Sequence, residues 1–422
     1  MQQFRAEIGR GANAGHVDRC RLPVLDGIIE CPTLRSDGSL LTEQGYDKAA
    51  RVILDSGHLV VPTIPPEPTL DQAIASMKVV TDLLNEFPFV DDEGNISKVD
   101  QASASRSVAV SGIMTGVVIQ ALDITPQHGY DANSVSSGKS TLCDVTATVA
   151  TGREASAMTL PTSEEEAQKA WILILMNGDQ VMCIDNVEKG STVSGGVLAK
   201  VITQGRFKGR ILGTNVDANV STKCLKLVNG NNLSFGFDLT SRAIKARLDA
   251  GRERPQERTF KRDIIAYTKE HRGELVAAAL TVLRGYVTAG RPTGFTPSRF
   301  RQWDSLVRGA IIWAGQPDPY LTADAIDVAD PERADIGAII DAFVAVFKDK
   351  EATSKQIMES QAAGADALRN ALVDLHGNLV NRTVTAKLRS HEGTIVNGRR
   401  IHRRVDGSQT VHFCIQTMGT LI

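Results

Sequence analysis

The residues best suited to phosphate chemistry lie in one segment of the chain. It runs from Asn133 to Thr141, between a short β-like run and a helical pattern over residues 142–150. In a phosphate-binding loop, backbone N–H groups at a helix N-terminus surround the phosphates, a lysine neutralises their charge, and a Ser or Thr hydroxyl binds magnesium. The segment therefore predicts a site for a nucleoside triphosphate and Mg²⁺. Its candidate contacts are Asn133, Ser136, Ser137, Gly138, Lys139, Ser140 and Thr141.

Two positions in this loop depart from the usual glycine pattern. Asn133 stands where the first glycine is expected, and asparagine is one of the few other residues that tolerate a left-handed backbone. Ser136 stands where many such loops have a further glycine. An ordinary polar loop before a helix remains the alternative interpretation.

A second signal lies about forty residues downstream. Residues 180–184 form an apolar strand pattern that ends in Asp185 and Asn186. A carboxylate at this place is expected to bind Mg²⁺ together with Ser140, although a strand followed by an Asx turn has the same pattern. Asn186 occupies the place of the glutamate that commonly polarises the attacking water, and an amide cannot act as a base. The candidate substitutes are Glu164, Glu165 and Glu166, whose alternative role is a solvated acidic first helical turn.

Amides and arginines follow the next strand pattern. Residues 225–228 lead to Asn231, which is placed to contact a γ-phosphate as a sensor; an ordinary Asn-Gly turn is the alternative. Arg242 and Arg247 come next and are candidates to reach the γ-phosphate of a neighbouring subunit, where a guanidinium stabilises transition-state charge. Pairing of these arginines with aspartates along one helix is the other interpretation.

The elements that must position these residues alternate along the middle of the chain. This alternation predicts an α/β fold with a parallel sheet. The strand patterns lie at residues 155–160, 180–184, 210–213 and 224–228, and a helix is expected over 164–176. Helices are expected over residues 70–87 and 104–122, and β-like runs over 51–54 and 59–61. After Arg242 the chain is expected to be helical, with two amphipathic helices near residues 273–287 and 303–315.

The C-terminal part combines helices, a hairpin and clustered basic residues. Helices over 336–347 and 354–375 precede a short helix and two β-like runs, 399–405 and 410–415, which suggests a winged helix. Between Arg382 and Arg404 there is one acid, Glu392. Such a patch fits contact with the backbone of duplex DNA, and a solvated charge run is the alternative. Its seven basic residues are Arg382, Lys387, Arg389, Arg399, Arg400, Arg403 and Arg404.

Composition limits the remaining possibilities. The 422 residues are 42% hydrophobic and 23% charged, as expected of a soluble chain of two or three domains. The net charge of −2 argues against a chain-wide polyanion-binding surface. The longest uncharged stretch has 16 residues, short of the roughly 20 needed for a membrane span. The N-terminus lacks an export signal, so we expect a cytoplasmic protein without a membrane partner. The six cysteines form no CxxC pair and indicate reduced thiols.

The order of these elements resembles the helicase-type ATPases of phages and mobile elements, often described as primase-helicases, near the superfamily-three and MCM branches of the AAA+ class. The resemblance covers nearly the whole chain. It is based on GIIECPTLRSDGSLLTEQGYD (27–47), GKST (138–141), VMCIDNV (181–187), GRILG (209–213), LVNGNN (227–232), DLTSRAIKARLDAGRERPQERTF (238–260), RQWDSLVRGAIIWAGQPDP (301–319) and GTIVNGRRIHR (393–403). It implies a hexameric ring with Mg²⁺ and ATP at subunit interfaces, DNA through the centre, and a primase or other replication partner.

The resemblance also implies roles for particular residues. Lys139 and Ser140 would contact phosphate and Mg²⁺, Asp185 would be the Walker B acid, Asn231 the sensor and Arg242 the arginine finger. Residues 210–223 would form a pore hairpin, with Arg210 and Lys223 as DNA contacts.

Four regions and three classes of function follow. The regions are an N-terminal α+β region (1–95), a P-loop AAA+-type ATPase core (96–265), a helical lid (266–330) and a winged-helix-like DNA-binding domain (331–422). The leading function is an ATP-dependent DNA helicase or translocase acting in replication. A nucleotide-dependent DNA-binding or scaffolding protein with weak or no hydrolysis is the second, and a metabolic P-loop enzyme such as a small-molecule kinase is the third.

Overall fold

The computed structural model of the protein describes residues 23–91, 93–95, 101–211, 217–252, 254–257, 261–292, 294–328, 331–373 and 379–418. The chain divides into two compact units, Met1–Ile326 and Asp327–Ile422. Its strands are β1 (Gly27–Ile29), β2 (Thr33–Leu34), β3 (Leu40–Leu41), β4 (Gly45–Asp47), β5 (Val52–Leu54), β6 (Gln127–Ala132), β7 (Ser156–Met158), β8 (Val181–Val187), β9 (Thr192–Val193), β10 (Arg206–Arg210), β11 (Asp217–Ser221), β12 (Leu225–Asn231), β13 (Ser234–Phe235), β14 (Ala243–Leu248), β15 (Ile395–Val396), β16 (Arg399–Val405) and β17 (Val411–Thr417).

The helices surround these strands. In chain order they are α1 (Leu70–Leu83), α2 (Ala104–Val118), α3 (Lys139–Thr151), α4 (Glu164–Asn177), α5 (Gly196–Thr203), α6 (Ile264–Glu270), α7 (Arg272–Thr288), α8 (Arg301–Trp303), α9 (Gly309–Trp313), α10 (Leu321–Val328), α11 (Pro331–Phe347), α12 (Ser354–Glu359), α13 (Ala365–Leu372) and α14 (Asn381–Ser390). A π-helical turn, Asp304–Arg308, joins α8 to α9. Short 3₁₀ turns cover Ile119–Ala121, Thr240–Arg242 and Pro255–Glu257.

A five-stranded parallel sheet forms the centre of the first unit. Its order is β14-β6-β12-β8-β7, and each neighbouring pair is parallel. All six residues of β6 are buried, as are the first six of β12, which is typical of strands covered on both faces. The predicted α/β fold with a parallel sheet flanked by helices is therefore confirmed.

Helix α2 is the most deeply buried element beside the sheet. All of its 15 residues are buried, from Ala104 to Val118, including the side chain of Arg106, which donates to the Thr81 carbonyl at 2.7 Å. The Ser103 side chain accepts a hydrogen bond from the Arg106 N–H and caps its N-terminus. At Gly112 an added Cβ would lie 2.5 Å from the Tyr130 hydroxyl, so the helix contacts β6 closely because it lacks a side chain there.

Helix α3, which follows the candidate loop, is anchored at its other end by Arg272 of α7. This buried guanidinium donates to the carbonyl oxygens of Val149 (3.1 Å) and Ala150 (2.9 Å), and to that of Glu30 (2.8 Å). It therefore satisfies carbonyls that the helix end leaves without intrahelical partners. The same contact joins the N-terminal strands to the sheet unit.

The small sheets before residue 236 and the helices between residues 264 and 313 share this unit. Strands β1, β5 and β4 form a three-stranded sheet, and the pairs β2–β3, β10–β11 and β9–β13 are separate. Buried residues of α7, such as Val276 and Leu280, belong to the same hydrophobic core as the parallel sheet. The structure does not set residues 266–330 apart as a separate body, and the helical lid stays a prediction.

The second unit has its own core. Ile339 and Phe343 of α11, Leu388 of α14, and Ile401 and Phe413 of the sheet are all buried in it. Strands β15, β16 and β17 form an antiparallel sheet in that order. Helices followed by a terminal hairpin were predicted from the sequence; the specific winged-helix assignment stays a prediction.

Several element predictions were wrong. Residues after Arg242 form strand β14 rather than a helix, because its buried residues alternate with partly exposed Lys245 and Arg247. Residues 59–61 do not form a strand. Residues 354–375 contain two helices, α12 and α13, instead of one. Some residues named in the sequence predictions lie outside the described residues: Cys20, Leu212, Gly213 and residues 374–375.

None of the helices, over the residues described, combines the length and the apolar character needed to cross a membrane.

The contact between α2 and β6 gives a stability prediction. We expect Gly112→Ala to lower the free energy of unfolding by about 1–3 kcal/mol, the usual cost of overpacking a core, because the Tyr130 hydroxyl is fully buried and cannot move aside. Chemical denaturation measures the change. Tyr130→Phe in the same background should restore part of it. Gly205→Ala, where an added Cβ has open space, is the matched control, and an equal effect at both glycines would contradict the packing argument.

Candidate functional site

The candidate site lies at the carboxyl ends of three neighbouring strands, β6, β12 and β8. In open α/β sheets ligands bind at this edge, beside the strand at which the chain changes the direction in which it adds strands to the sheet. The chain leaves β6 for the β7 edge of the sheet and later adds β14 on the other side of β6. The loop of residues 133–138 emerges at this point and leads directly into α3.

The loop has left-handed residues at two positions. Gly138, the N-cap of α3, has φ 95°, and Ser136 has φ 59°. The left-handed backbone expected at Asn133 therefore occurs at Ser136 instead, where a glycine is common. The Ser137 hydroxyl is buried and donates to the Ser134 carbonyl at 2.9 Å. These contacts hold the loop closed over the N-terminus of α3.

Lys139 connects the loop to the tip of β12. Its Nζ donates to the Ser134 carbonyl at 2.9 Å and to Asn231 Oδ1 at 2.7 Å. Burial lowers the pKa of Lys139, and nearby Arg247 lowers it further, whereas Asp131 raises it. The two residues predicted to contact phosphate from different parts of the chain are thus in direct contact.

Ser140 and Asp185 form the second pair at this edge. The Ser140 hydroxyl donates to Asp185 Oδ1 at 3.2 Å. A hydroxyl and a carboxylate oxygen are hard ligands of the kind Mg²⁺ takes alongside phosphate oxygens and water. The donor set fits the predicted magnesium site. Thr141 follows on α3 and is partly buried, and Asn133 is exposed at the start of the loop.

A β-bulge presents Asp185 to Ser140. Register between β8 and β12 shifts so that Asp185 and Asn186 lie opposite Asn229 alone, and Asn186 has φ 59°. Asn229 is 2% exposed; its Nδ2 donates to Asp185 Oδ1 at 2.6 Å and its Oδ1 accepts from the Asn186 N–H at 3.0 Å. The sequence did not predict this role for Asn229, because an asparagine followed directly by Gly230 is typical of a turn.

A buried acid beneath the loop was also missed. Asp131, at the end of β6, is 0% exposed. Its carboxylate accepts the Leu233 N–H at 2.7 Å and pairs with Arg247 at 2.5 Å and Lys245 at 3.5 Å. Arg247 is therefore paired within its own chain beside Lys139, and its predicted role as a finger toward a neighbouring subunit stays a prediction. The available sequence signal was the alternation of Lys245 and Arg247 in β14, which places both cations on one side of the strand.

The three predicted substitutes for the catalytic base are engaged elsewhere. Glu164 accepts the N–H groups of Gly196 (2.7 Å) and Val197 (2.8 Å) at the start of α5. Glu165 and Glu166 both pair with Lys169, at 2.8 and 3.2 Å. The prediction that one of them acts as base is wrong, because the first caps a helix and the others form surface ion pairs.

Arg242 is not part of the Lys139 cluster. It ends the 3₁₀ turn before β14, and its buried Nε has no hydrogen-bond partner among the described residues. Burial lowers the pKa of Arg242, with Arg299 lowering it further and Asp238 opposing. Its role as the finger stays a prediction.

The segment predicted to form a pore hairpin overlaps the antiparallel pair β10–β11, and its place in a pore stays a prediction. Arg210 pairs in register with Asp217 next to the connection between the strands. Lys223 lies beyond the opposite end, where its Nζ donates to the Gln120 carbonyl at 2.9 Å. The structure therefore separates the two predicted DNA contacts, and only Arg210 lies near the connection.

Most basic residues of the C-terminal patch have partners within the second unit. Arg399 pairs with Asp341 (2.5 Å), Arg403 with Glu392 (2.8 Å) and Arg404 with Glu351 (2.5 Å). Arg400 donates to Gln416 Oε1 at 2.9 Å, and Lys387 donates to the Val373 carbonyl at 3.3 Å. The hairpin is thus far less positive than the sequence count indicates.

These features are consistent with a P-loop-like fold: a parallel sheet, a loop that leads into a helix, and a lysine, a serine and an aspartate at one edge of the sheet. No family model and no curated protein matches the chain. Among solved structures, an apo form of the C-terminal region of NrS-1 matches with 10% identity and a TM-score of 0.41, over 99% of this chain and 90% of that chain. JCV helicase matches with 12% identity and a TM-score of 0.26, over 64% of this chain and 70% of that chain. Similarity at this level does not establish function.

The role of Asn229 can be tested directly. We expect Asn229→Ala to weaken apparent Mg²⁺ affinity in the presence of nucleotide by about 10- to 100-fold, as for other residues that orient a metal ligand. Titration of Mg²⁺ against a fluorescent nucleotide measures it. Asn219→Ala changes an asparagine on β11 that bonds Arg206 and serves as control. Equal Mg²⁺ affinity in both variants would exclude a role for Asn229.

Proposed function

We propose that the protein binds Mg²⁺ and ATP at the β6–β12–β8 edge and hydrolyses ATP to drive a ring-shaped DNA helicase or translocase. The observation that carries this proposal is the convergence of two contacts, Lys139 Nζ to Asn231 at 2.7 Å and the Ser140 hydroxyl to Asp185 at 3.2 Å. A cation, a hydroxyl, a carboxylate and an amide from three chain segments thereby face one edge.

Each residue has a distinct task in this proposal. The Lys139 ammonium binds phosphate oxygens in place of the Ser134 carbonyl, and Asn231, which it now contacts, is then available to the γ-phosphate. Ser140 and Asp185 hold Mg²⁺, with Asn229 orienting the carboxylate. When bound, Mg²⁺ neutralises charge on the transferring phosphoryl group. Asp131 holds Arg247 beside Lys139, so Arg247 adds positive charge from within the chain.

The proposal extends to assembly and DNA. Arg242, outside the Lys139 cluster, acts on the nucleotide of an adjacent subunit in a hexamer, where an arginine stabilises developing charge. DNA is the polymer moved, and a replication protein such as a primase is the partner. The resemblance of the motif order and the local excess of arginines in the second unit support these steps.

A nucleotide-dependent DNA-binding or scaffolding protein with weak hydrolysis is the second candidate function. It is favoured by one observation: Asn186 replaces the expected base, and Glu164, Glu165 and Glu166 are engaged elsewhere. Steady-state ATP turnover with and without DNA separates the two functions. Sustained, DNA-stimulated turnover supports the motor, and tight ATP binding with negligible turnover supports the scaffold.

Loss of the Lys139 ammonium should abolish most nucleotide binding. We expect Lys139→Ala to weaken affinity for an ATP analogue with Mg²⁺ by about 10- to 100-fold, in line with hydrogen bonds to charged groups worth about 1.5–3 kcal/mol. Calorimetric titration measures it. Lys78→Ala removes an exposed lysine of α1 that pairs with Asp82 at 3.0 Å and should bind as the wild type does. Unchanged affinity in Lys139→Ala would contradict ATP binding at the β6–β12–β8 edge.

The role of Arg242 has its own test. We expect Arg242→Ala to keep ATP affinity but reduce turnover by about three orders of magnitude, as for other arginine fingers. Mixing Arg242→Ala with Lys139→Ala subunits should then recover part of the turnover, because some interfaces pair an intact Lys139 with an intact Arg242 from the neighbour. An inactive mixture would mean that Arg242 does not act between subunits.

A further inference from the structure

Two cysteine side chains contact each other where α3 packs on the central sheet. The Cys183 thiol donates to the Cys143 sulfur at 3.3 Å, and each residue is 2% exposed. Cys143 lies on α3 and Cys183 on β8, 40 residues apart in the chain. Among the five cysteines that the structure describes, this is the one pair in contact with each other. The two thiols therefore form a site in which both partners of a disulfide are already adjacent.

The pair lies one layer below the residues that the proposed function assigns to Mg²⁺. Cys143 follows Ser140 by three residues on α3, which is about one helical turn. Cys183 precedes Asp185 by two residues on β8, which places both side chains on the same face of the strand. Ser140 is exposed and Asp185 is partly exposed. The sulfurs are therefore close to the open edge of the sheet, although they are themselves buried.

The Asn229 amide joins this pair to the site. Its Nδ2 lies 3.5 Å from Cys143 Sγ and 3.5 Å from Cys183 Sγ, and it donates to Asp185 Oδ1 at 2.6 Å. One amide group thus contacts both sulfurs and the carboxylate that faces Ser140. A change in the position of the sulfurs therefore reaches Asp185 through a single side chain.

The contact between the sulfurs suits oxidation to a disulfide. A disulfide bond is about 2.05 Å long, so the two sulfurs would have to approach each other by about 1.2 Å. With hydrogen peroxide as the oxidant, one thiol attacks a peroxide oxygen and gives a sulfenic acid and one water; the second thiol then displaces that oxygen as a second water. Two S–H bonds are lost, one S–S bond forms, and the peroxide accepts the two electrons.

We propose that Cys143 and Cys183 form a peroxide-sensitive modification site. Their oxidation to a disulfide draws α3 toward β8, displaces the Asn229 amide and weakens Mg²⁺ binding at the edge above. Reduction of the disulfide by a thiol restores the site. The effect on Mg²⁺ rests on the proposed function, whereas the disulfide itself rests only on the contact between the two thiols.

The first test is chemical and needs no nucleotide. Full-length protein is treated with hydrogen peroxide, its remaining thiols are alkylated in denaturant, and its peptides are mapped by mass spectrometry without reduction. We expect a Cys143–Cys183 cross-link that dithiothreitol removes. Cys224, which is 1% exposed, should be recovered as an alkylated thiol. If Cys143 and Cys183 stay as reduced as Cys224, the proposal is overturned, because buried structural thiols are inert and adjacency would then add nothing.

The second test measures the consequence for the site. Mg²⁺ is titrated against a fluorescent nucleotide with reduced, oxidised and re-reduced protein. We expect oxidation to weaken the apparent Mg²⁺ affinity by about 10-fold, within the range for losing a residue that orients a metal ligand, and re-reduction to restore it. Equal affinity of the cross-linked and the reduced protein would overturn the coupling between the thiols and the site.

Cysteine variants locate the response. Cys143→Ser and Cys183→Ser should each show the same Mg²⁺ affinity before and after peroxide treatment, because neither variant can form the cross-link. Cys414→Ser removes a partly buried thiol of the second unit and should respond to peroxide as the wild type does. A response that persists in Cys143→Ser, or that is lost in Cys414→Ser, would assign the effect to another group and overturn the proposal.

The outcome also separates this inference from the function it depends on. If reduced protein binds Mg²⁺ and nucleotide but peroxide forms no cross-link, this inference fails and the proposed function stands. If the cross-link forms but reduced protein binds no nucleotide, the ATP-dependent function fails together with the coupling to Mg²⁺, and only the modification site stands.

Discussion

The site depends on one constraint: parallel strands end at the same edge of a sheet, so residues far apart in sequence meet there. Lys139 follows β6, Asn231 ends β12 and Asp185 lies near the end of β8, and these strands are neighbours in the sheet. The contacts from Lys139 to Asn231 and from Ser140 to Asp185 both result from this placement. A sheet that alternated in direction would carry these groups to opposite edges, and neither contact would form.

The same edge contains a buried charge that must be neutralised. Asp131 is fully buried at the end of β6, and burial of an unpaired carboxylate is costly. Arg247 and Lys245, both on β14, supply the compensating charge. Because removal of one partner from such a buried pair costs about 3–5 kcal/mol, this contact fixes the edge strand β14 against β6, directly beneath the loop. It also explains why Arg247 and Arg242, five residues apart, have different environments.

Sequence reasoning found the features whose signals are local. The Gly138-Lys139-Ser140 loop, the strand ending at Asp185 and the amide at Asn231 are each read from a few adjacent residues, and the structure places them together. Features set by distant partners were not found. Asn229 resembles half of a turn until β8 is seen beside it, and the charge count of the C-terminal patch does not reveal that Asp341 and Glu351 neutralise hairpin arginines. Strand β14 was misread as a helix because its charged residues suggested helical ion pairs, whereas its burial alternates.

The amide at position 186 is explained more directly by backbone geometry than by a lost reaction. The bulge that turns Asp185 toward Ser140 requires Asn186 at φ 59°, a region in which Asn is several-fold enriched and longer side chains are uncommon. The Asn229 amide holds both residues in place: its Nδ2 donates to Asp185 and its Oδ1 accepts from the Asn186 N–H. A glutamate at 186 would carry the strain of this left-handed backbone, and a flattened bulge would turn the Asp185 carboxylate away from Ser140. The residue at 186 therefore serves the backbone of the bulge that holds the Asp185 carboxylate beside Ser140.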